Sequence, residues 1–114
     1  MSFTYNINQH EPVLVISLYG ELLDMNAAAG LINFLNESHE EGKCKFVFDL
    51  SELKYMNSSG LNLLISTMTK ARKNGGDVVI AGISQKIREL LLITKLNSVF
   101  TVKDSIDEAV AHFQ

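Results

Sequence analysis

The sequence predicts an α/β sandwich in which about four helices pack on a mixed sheet of about five strands. Segments with the two-residue period of strands alternate with segments that have the 3.6-residue period of helices, and the first two strand segments are separated only by a short break. A length of 114 residues, with 46% hydrophobic and 20% charged residues, is typical of one folded globular domain. We therefore expect a single domain over residues 1–114.

The chain opens with two strand segments. Apolar and polar residues alternate over residues 3–9, which is the period of a half-buried strand. A second, mostly apolar segment covers residues 13–18 after a break at residues 10–12, and Gly20 is expected to end this strand. Because the connection is short, the two segments are predicted to pair as an antiparallel hairpin.

A helix and a buried strand follow the hairpin. Apolar residues recur at helical spacing over residues 26–41, and Gly42 is a typical stop signal. Residues 44–50 form an apolar run that suits a third strand covered on both faces. The single cysteine, Cys44, begins this run, and we interpret it as a small buried hydrophobic residue.

The second helix is expected to begin at Asn57 or Ser58, after a short loop that leaves the third strand near residues 49–50. It ends in the segment 70–76, where cations in the last turn and glycines beyond it are typical of a helix C-terminus. Residues 78–82 are a short, continuously apolar run and predict a fourth strand.

The last third of the chain repeats this alternation. Ser84 is expected to cap a third helix with its hydroxyl, and apolar residues at helical spacing predict that one face is buried. Residues 99–102 predict a small final strand. Asp104 is expected to cap a last helix, whose apolar residues face inward.

Composition and charge exclude several classes of partner. The formal charge is −3, from 10 basic and 13 acidic residues. A mildly acidic domain lacks the positive surface that non-specific nucleic-acid binding needs, so neither DNA nor RNA is an expected partner. No N-terminal segment combines basic residues, an apolar run and a cleavage site, so no leader is expected, and no apolar run approaches about 18 residues. We therefore expect a soluble, cytoplasmic protein without direct membrane insertion.

Patterns for metals, cofactors and catalysis are weak. His10, His39 and His112 lie in three different elements without a second ligand three or four residues away, so no metal site is expected. Gly75 and Gly76 follow a helix and precede a strand, the reverse of a phosphate-binding loop, so no cofactor is expected. A serine hydrolase is the enzyme alternative, but the Gly-x-Ser-x-Gly frame is missing and no catalytic residue is expected.

The most informative segment covers residues 49–61 and places Ser58 and Ser59 at a helix N-terminus. Free backbone N–H groups and the positive end of the helix dipole make such a position suitable for a phosphate or another anion. Simple helix capping by Asn57 is the alternative interpretation. Gly60 costs about 1 kcal/mol relative to alanine inside a helix. Close approach of a phosphate or of a partner's backbone would explain this glycine.

Three segments resemble a known family. Residues 49–61 read DLSELKYMNSSGL, similar to the STAS-domain signature of bacterial anti-sigma factor antagonists, Asp-Leu-x-x-Leu-x-Phe-hydrophobic-Asp-Ser-Ser-Gly-Leu. Residues 15–22 (VISLYGEL) resemble the family's strand ending in Gly-Glu-Leu-Asp. Residues 75–84 (GGDVVIAGIS) resemble its Gly-Gly strand and the start of the next helix. The resemblance extends over essentially the whole chain and implies a single STAS-like sandwich.

The resemblance implies a regulatory binding protein that catalyses nothing itself. In the family, the first serine of the pair, here Ser58, is phosphorylated by an anti-sigma factor that is a serine kinase. The unmodified form binds this kinase and frees a sigma factor, and a phosphatase restores the unmodified form. No cofactor is implied, and we expect a monomer or a weak dimer. The residues expected to bind the partner are Glu21, Asp24, Tyr55, Met56, Asn57, Ser58, Ser59 and Asn62.

Two positions depart from the family pattern. Asn57 stands where the family has an aspartate, so this side chain caps a helix but offers no carboxylate to the neighbouring hydroxyl. Leu23 stands where an aspartate follows Gly-Glu-Leu, and Asp24 is displaced by one residue. The alternative hypothesis is therefore a STAS scaffold that is not phosphorylated, such as a subunit of a lipid-transport or other signalling assembly.

Overall fold

The computed structural model describes residues 2–114 and contains a five-stranded mixed sheet. The strands lie side by side in chain order: β1 (Phe3–His10), β2 (Val13–Leu22), β3 (Lys45–Met56), β4 (Asp77–Ile83) and β5 (Thr101–Lys103). The described residues also form the helices α1 (Ala29–Glu40), α2 (Ser58–Lys73), α3 (Gln85–Ile93) and α4 (Ile106–Ala111). β1 and β2 pair antiparallel, and the other neighbours pair parallel. The predicted α/β fold with an opening hairpin is confirmed.

The sheet buries apolar side chains on both faces, because successive residues of a strand point to opposite sides. One face, which includes Ile16 and Phe48, packs beneath α1, α2 and α3. The other face, which includes Val15 and Val47, packs against Ala109 of α4. The central strands are therefore covered on both sides, as the continuous apolar run of β3 predicted.

β2 and β3 are both longer than predicted. β3 does not end near Asp49 or Leu50 but continues to Met56, after a register shift between Asp49 and Leu50. β2 likewise continues past Gly20, and its last residue, Leu22, pairs with Met56. Leu22 and Met56 are fully buried. The strands extend because these two side chains complete the core, so the predicted end of β2 at Gly20 and the predicted loop after residue 50 were both wrong.

The predicted start of α1 also needs correction. The helix begins at Ala29 rather than at Asn26. The residues before it form a turn, in which the Asn26 N–H donates to Asp24 Oδ1 at 2.9 Å. The predicted cap of α3 is confirmed, since the hydroxyl of Ser84 accepts from the Ile87 N–H at 3.3 Å.

Two boundaries near the C-terminus are shifted by one or two residues. The cap of α4 is Ser105, not Asp104, because the Ser105 hydroxyl accepts from the Glu108 N–H at 3.1 Å. β5 begins at Thr101 rather than at Val99. Both differences move an element towards the C-terminus and leave the order of elements unchanged.

His39 of α1 lies against Phe46 of the sheet, with the two ring centroids 5.3 Å apart and the ring planes inclined by 63°. Its Nδ1 atom is buried and has no hydrogen-bond partner within residues 2–114. Burial lowers the pKa of the imidazole, and the positive charge of Lys70 on α2 lowers it further. Both effects favour the neutral side chain in the folded protein.

We expect acidification to destabilise the fold through His39. The imidazole of an unfolded chain has a pKa of about 6.5, and the folded chain takes up this proton less readily. The free energy of unfolding should therefore fall as the pH drops from about 7.5 to about 5.5. Denaturant unfolding across this range should show a smaller fall for His39→Gln than for the wild type. The same substitution at exposed His10 is the control, and equal slopes in all three proteins would contradict this assignment.

Gly76 precedes β4 and permits a close approach of two backbone segments. A Cβ atom built on Gly76 would lie 1.7 Å from the carbonyl oxygen of Cys44, which is backbone and cannot rotate away. We expect Gly76→Ala to lower the free energy of unfolding by about 3 kcal/mol or more. Gly75 is the matched control, because a Cβ there meets nothing within 4 Å and only its positive φ of 88° is unfavourable. Gly75→Ala should cost about 1 kcal/mol, and equal losses would contradict the steric explanation.

Candidate functional site

The carboxyl ends of β2 and β3 meet at one edge of the sheet and bring the predicted site residues together. Glu21 of β2 pairs with Tyr55 of β3. Because the two strands are parallel, both end at the same edge of the sheet. The backbone N–H of Asn57 continues this contact by donating to the Leu22 carbonyl at 3.3 Å. α2 begins with the next residue, Ser58, so the loops before α1 and α2 lie next to each other.

Asn57 caps α2 and also binds the neighbouring loop. Its Oδ1 atom accepts from the N–H groups of Ser59 and Gly60, at 3.0 and 3.3 Å. Its Nδ2 atom donates to the carbonyl oxygen of Leu23 at 3.0 Å. The capping interpretation of Asn57 is therefore correct, and the amide has a second contact that the sequence did not indicate.

Ser58 is the first residue of α2 and is exposed. Within residues 2–114, no hydrogen bond engages its hydroxyl, and no histidine is hydrogen-bonded to either Ser58 or Ser59. Ser59 is half-buried. An exposed hydroxyl without a neighbouring general base suits a group that another protein modifies better than it suits a nucleophile.

Gly60 has a packing explanation that the sequence did not suggest. It is buried, and an added Cβ would lie 2.8 Å from the Cβ of Met56 and 3.2 Å from side-chain atoms of Leu22. The glycine therefore lets α2 pack closely on the ends of β2 and β3, and no phosphate or partner backbone is needed to explain it. Met56 has no exposed surface, so its side chain is removed from the expected partner-binding residues.

The remaining expected residues lie at or near the surface. Glu21 is half-buried, whereas Asp24 and Asn62 are exposed. Tyr55 is 36% exposed. Leu23 is 44% exposed and was not among the individual residues expected to bind the partner. The available signal was an apolar side chain in a loop where a polar one is usual.

A groove between α1 and α2 begins beside the serine pair. It encloses a cavity of about 340 Å³, with Met25 and Leu63 on its apolar wall and Ser59 and Asn62 near the start of α2. Lys70 lines the groove further along α2. The exposed polar residues at the sheet edge therefore continue into a partly apolar surface.

Two further findings concern what the described residues can bind. No group of three or more His, Cys, Asp or Glu side chains among them is arranged to hold a metal ion. None of the helices over residues 2–114 combines the length and apolar character required to cross a membrane.

Comparisons with known proteins agree with this fold. The anti-sigma F factor antagonist of Paenibacillus polymyxa is 23% identical over 115 residues, covering 100% of this chain and 97% of the relative. The anti-sigma-B factor antagonist of Staphylococcus epidermidis is 28% identical over 98 residues, covering 86% and 90%. The crystal structure of an anti-sigma factor antagonist from Mycobacterium paratuberculosis has a TM-score of 0.82 at 27% identity, covering 97% and 93%. The family model of the STAS domain matches residues 4–109, and the chain therefore belongs to the STAS domain family.

Proposed function

We propose that this chain is an anti-sigma factor antagonist whose surface around Ser58 binds an anti-sigma factor that is a serine kinase. The observation that carries the proposal is the exposed, unengaged hydroxyl of Ser58 at the first position of α2. The relatives from Paenibacillus polymyxa and Staphylococcus epidermidis are named as anti-sigma factor antagonists, which supports an antagonist role here. The chain would act as a binding module and as a kinase substrate, not as an enzyme.

Phosphorylation of Ser58 would change the charge of this surface. A phosphate adds a charge of about −1.5 to −2. The N–H groups of Ser59 and Gly60 are already hydrogen-bonded to Asn57, so the phosphate would be stabilised mainly by the helix dipole. The phosphate would remain on the exposed side of α2, at the sheet edge where β2 and β3 end. A docked partner would meet extra negative charge and bulk, while the core beneath would be unaffected.

The proposed docking surface follows the strand ends and the start of α2. Glu21 contributes a carboxylate at the end of β2 and Asp24 another in the loop after it, and Tyr55 contributes an aromatic ring at the end of β3. The proposed contact residues, with Met56 removed because it is buried, are Glu21, Asp24, Tyr55, Asn57, Ser58, Ser59 and Asn62. A phosphatase acting on phosphorylated Ser58 would restore binding.

A STAS scaffold that is not phosphorylated is the second candidate. Asn57 and Leu23 favour it, because each stands where the family pattern has an aspartate. Such a scaffold would bind its partner permanently, and the charge of Ser58 would have no effect on binding.

We expect the purified chain to be phosphorylated at Ser58 by its serine-kinase anti-sigma factor in the presence of ATP. Mass spectrometry of the digested product should locate one phosphate on the peptide that contains Ser58. Ser58→Ala should abolish labelling, whereas Ser59→Ala should retain it, because Ser59 is half-buried. Labelling that persists in Ser58→Ala, or none in the wild type, would contradict the proposed modification.

A permanent charge at the same position should weaken binding. We expect Ser58→Asp to reduce affinity for the kinase by about tenfold or more, because a carboxylate on the docking surface is left without a matched partner. Titration calorimetry would measure the affinity, with Ser58→Ala as the uncharged control. If Ser58→Asp binds as tightly as Ser58→Ala, the charge switch is excluded and the scaffold is favoured.

A further inference from the structure

Asn57 and Leu23, the two departures from the family pattern, are in direct contact. The Nδ2 atom of Asn57 donates to the Leu23 carbonyl oxygen at 3.0 Å, and the two residues are 34 positions apart in the sequence. An aspartate at position 57 could still accept the N–H groups of Ser59 and Gly60 but could not donate to this carbonyl. The asparagine therefore links the start of the β2–α1 loop to the N-terminus of α2.

The same loop exposes an apolar side chain. Leu23 is 44% exposed, although it follows the fully buried Leu22. The next residue, Asp24, uses its Oδ1 atom to accept the Asn26 N–H at 2.9 Å and so shapes the turn. The loop is thus held by hydrogen bonds at two successive residues. Burial of this exposed leucine beneath a partner's apolar surface would lower the free energy of the complex.

Leu23 adjoins the proposed docking surface. Its carbonyl oxygen accepts a hydrogen bond from the side chain of Asn57, the residue immediately before Ser58. Two residues further along the loop, Met25 lines the groove between α1 and α2 together with Ser59 and Asn62. A protein that docks over Ser58 would therefore also cover Leu23 and the start of this groove.

We propose that Leu23 is a partner-recognition residue that packs against an apolar patch of the anti-sigma factor, and that Asn57 is its positioning residue. This inference rests on the proposed function, because the partner is the kinase that docks at Ser58. A partner that meets a leucine must present an apolar surface, whereas one that meets a carboxylate must present a donor or a cation. Leu23 and Asn57 together would therefore favour a partner with an apolar patch at this position of the interface.

Affinity measurements test the role of Leu23. Using the kinase that phosphorylates the wild type, we expect Leu23→Asp to bind about tenfold more weakly, while Leu23→Met retains wild-type affinity. Val99→Asp is the control. Val99 is 37% exposed, and its carbonyl accepts from Arg72 near the opposite end of α2. Unchanged affinity in Leu23→Asp, or an equal loss in Val99→Asp, would overturn the proposal. No binding by the wild type would instead overturn the proposed function.

Hydrogen exchange tests the role of Asn57 without any partner. We expect Asn57→Asp to accelerate exchange of the amides over residues 23–28, because the loop loses its hydrogen bond to Asn57, while amides in the middle of α2 keep their protection. The same substitution should also weaken kinase binding, and it should have a smaller additional effect in the Leu23→Asp background. Unchanged loop exchange, or fully additive losses of affinity, would show that Asn57 does not position Leu23.

Discussion

The parallel pairing of β2 with β3 beyond their register shifts is the constraint on which the site depends. It aligns Leu22 with Met56, and both side chains are fully buried. α2 starts two residues after Met56, and Gly60 lets the helix pack closely on the same two side chains. The position of Ser58 is therefore determined by core packing and by a paired strand, not by a free loop. If Ser58 is modified as proposed, its charge would change while its position stays the same.

Asn57 connects this rigid support to the more exposed β2–α1 loop. One atom of its amide satisfies two N–H groups of α2, and the other binds the loop carbonyl of Leu23. A serine at the same position could accept a hydrogen bond from the helix, but its short hydroxyl could not bridge both partners. A serine would cap the helix, but only an amide side chain both caps α2 and donates to the Leu23 carbonyl.

Element order and type could be predicted from periodicity, whereas the ends of β2 and β3 could not. In residues 50–56 the buried side chains are Leu50, Leu53 and Met56. This spacing of three residues does not match the two-residue alternation of a regular strand. Pairing with β2 and burial beneath α2 decide the structure there, and both are tertiary effects. The site residues near Ser58 could be proposed from the motif. The burial of Met56 and the packing role of Gly60 depend on contacts with Leu22, which no local pattern reveals.

The electrostatics of Asn57 bear on the choice between a switch and a scaffold. The loss of a carboxylate next to Ser58 favours a scaffold when only the sequence pattern is considered. A phosphate on Ser58 would, however, repel a negatively charged aspartate at position 57. The repulsion would be about 1 kcal/mol at 4 Å in water and larger near a protein surface. A neutral amide removes this repulsion and keeps both capping hydrogen bonds. A phosphorylated Ser58 would therefore cost less here than beside an aspartate, so Asn57 does not weigh against the proposed switch.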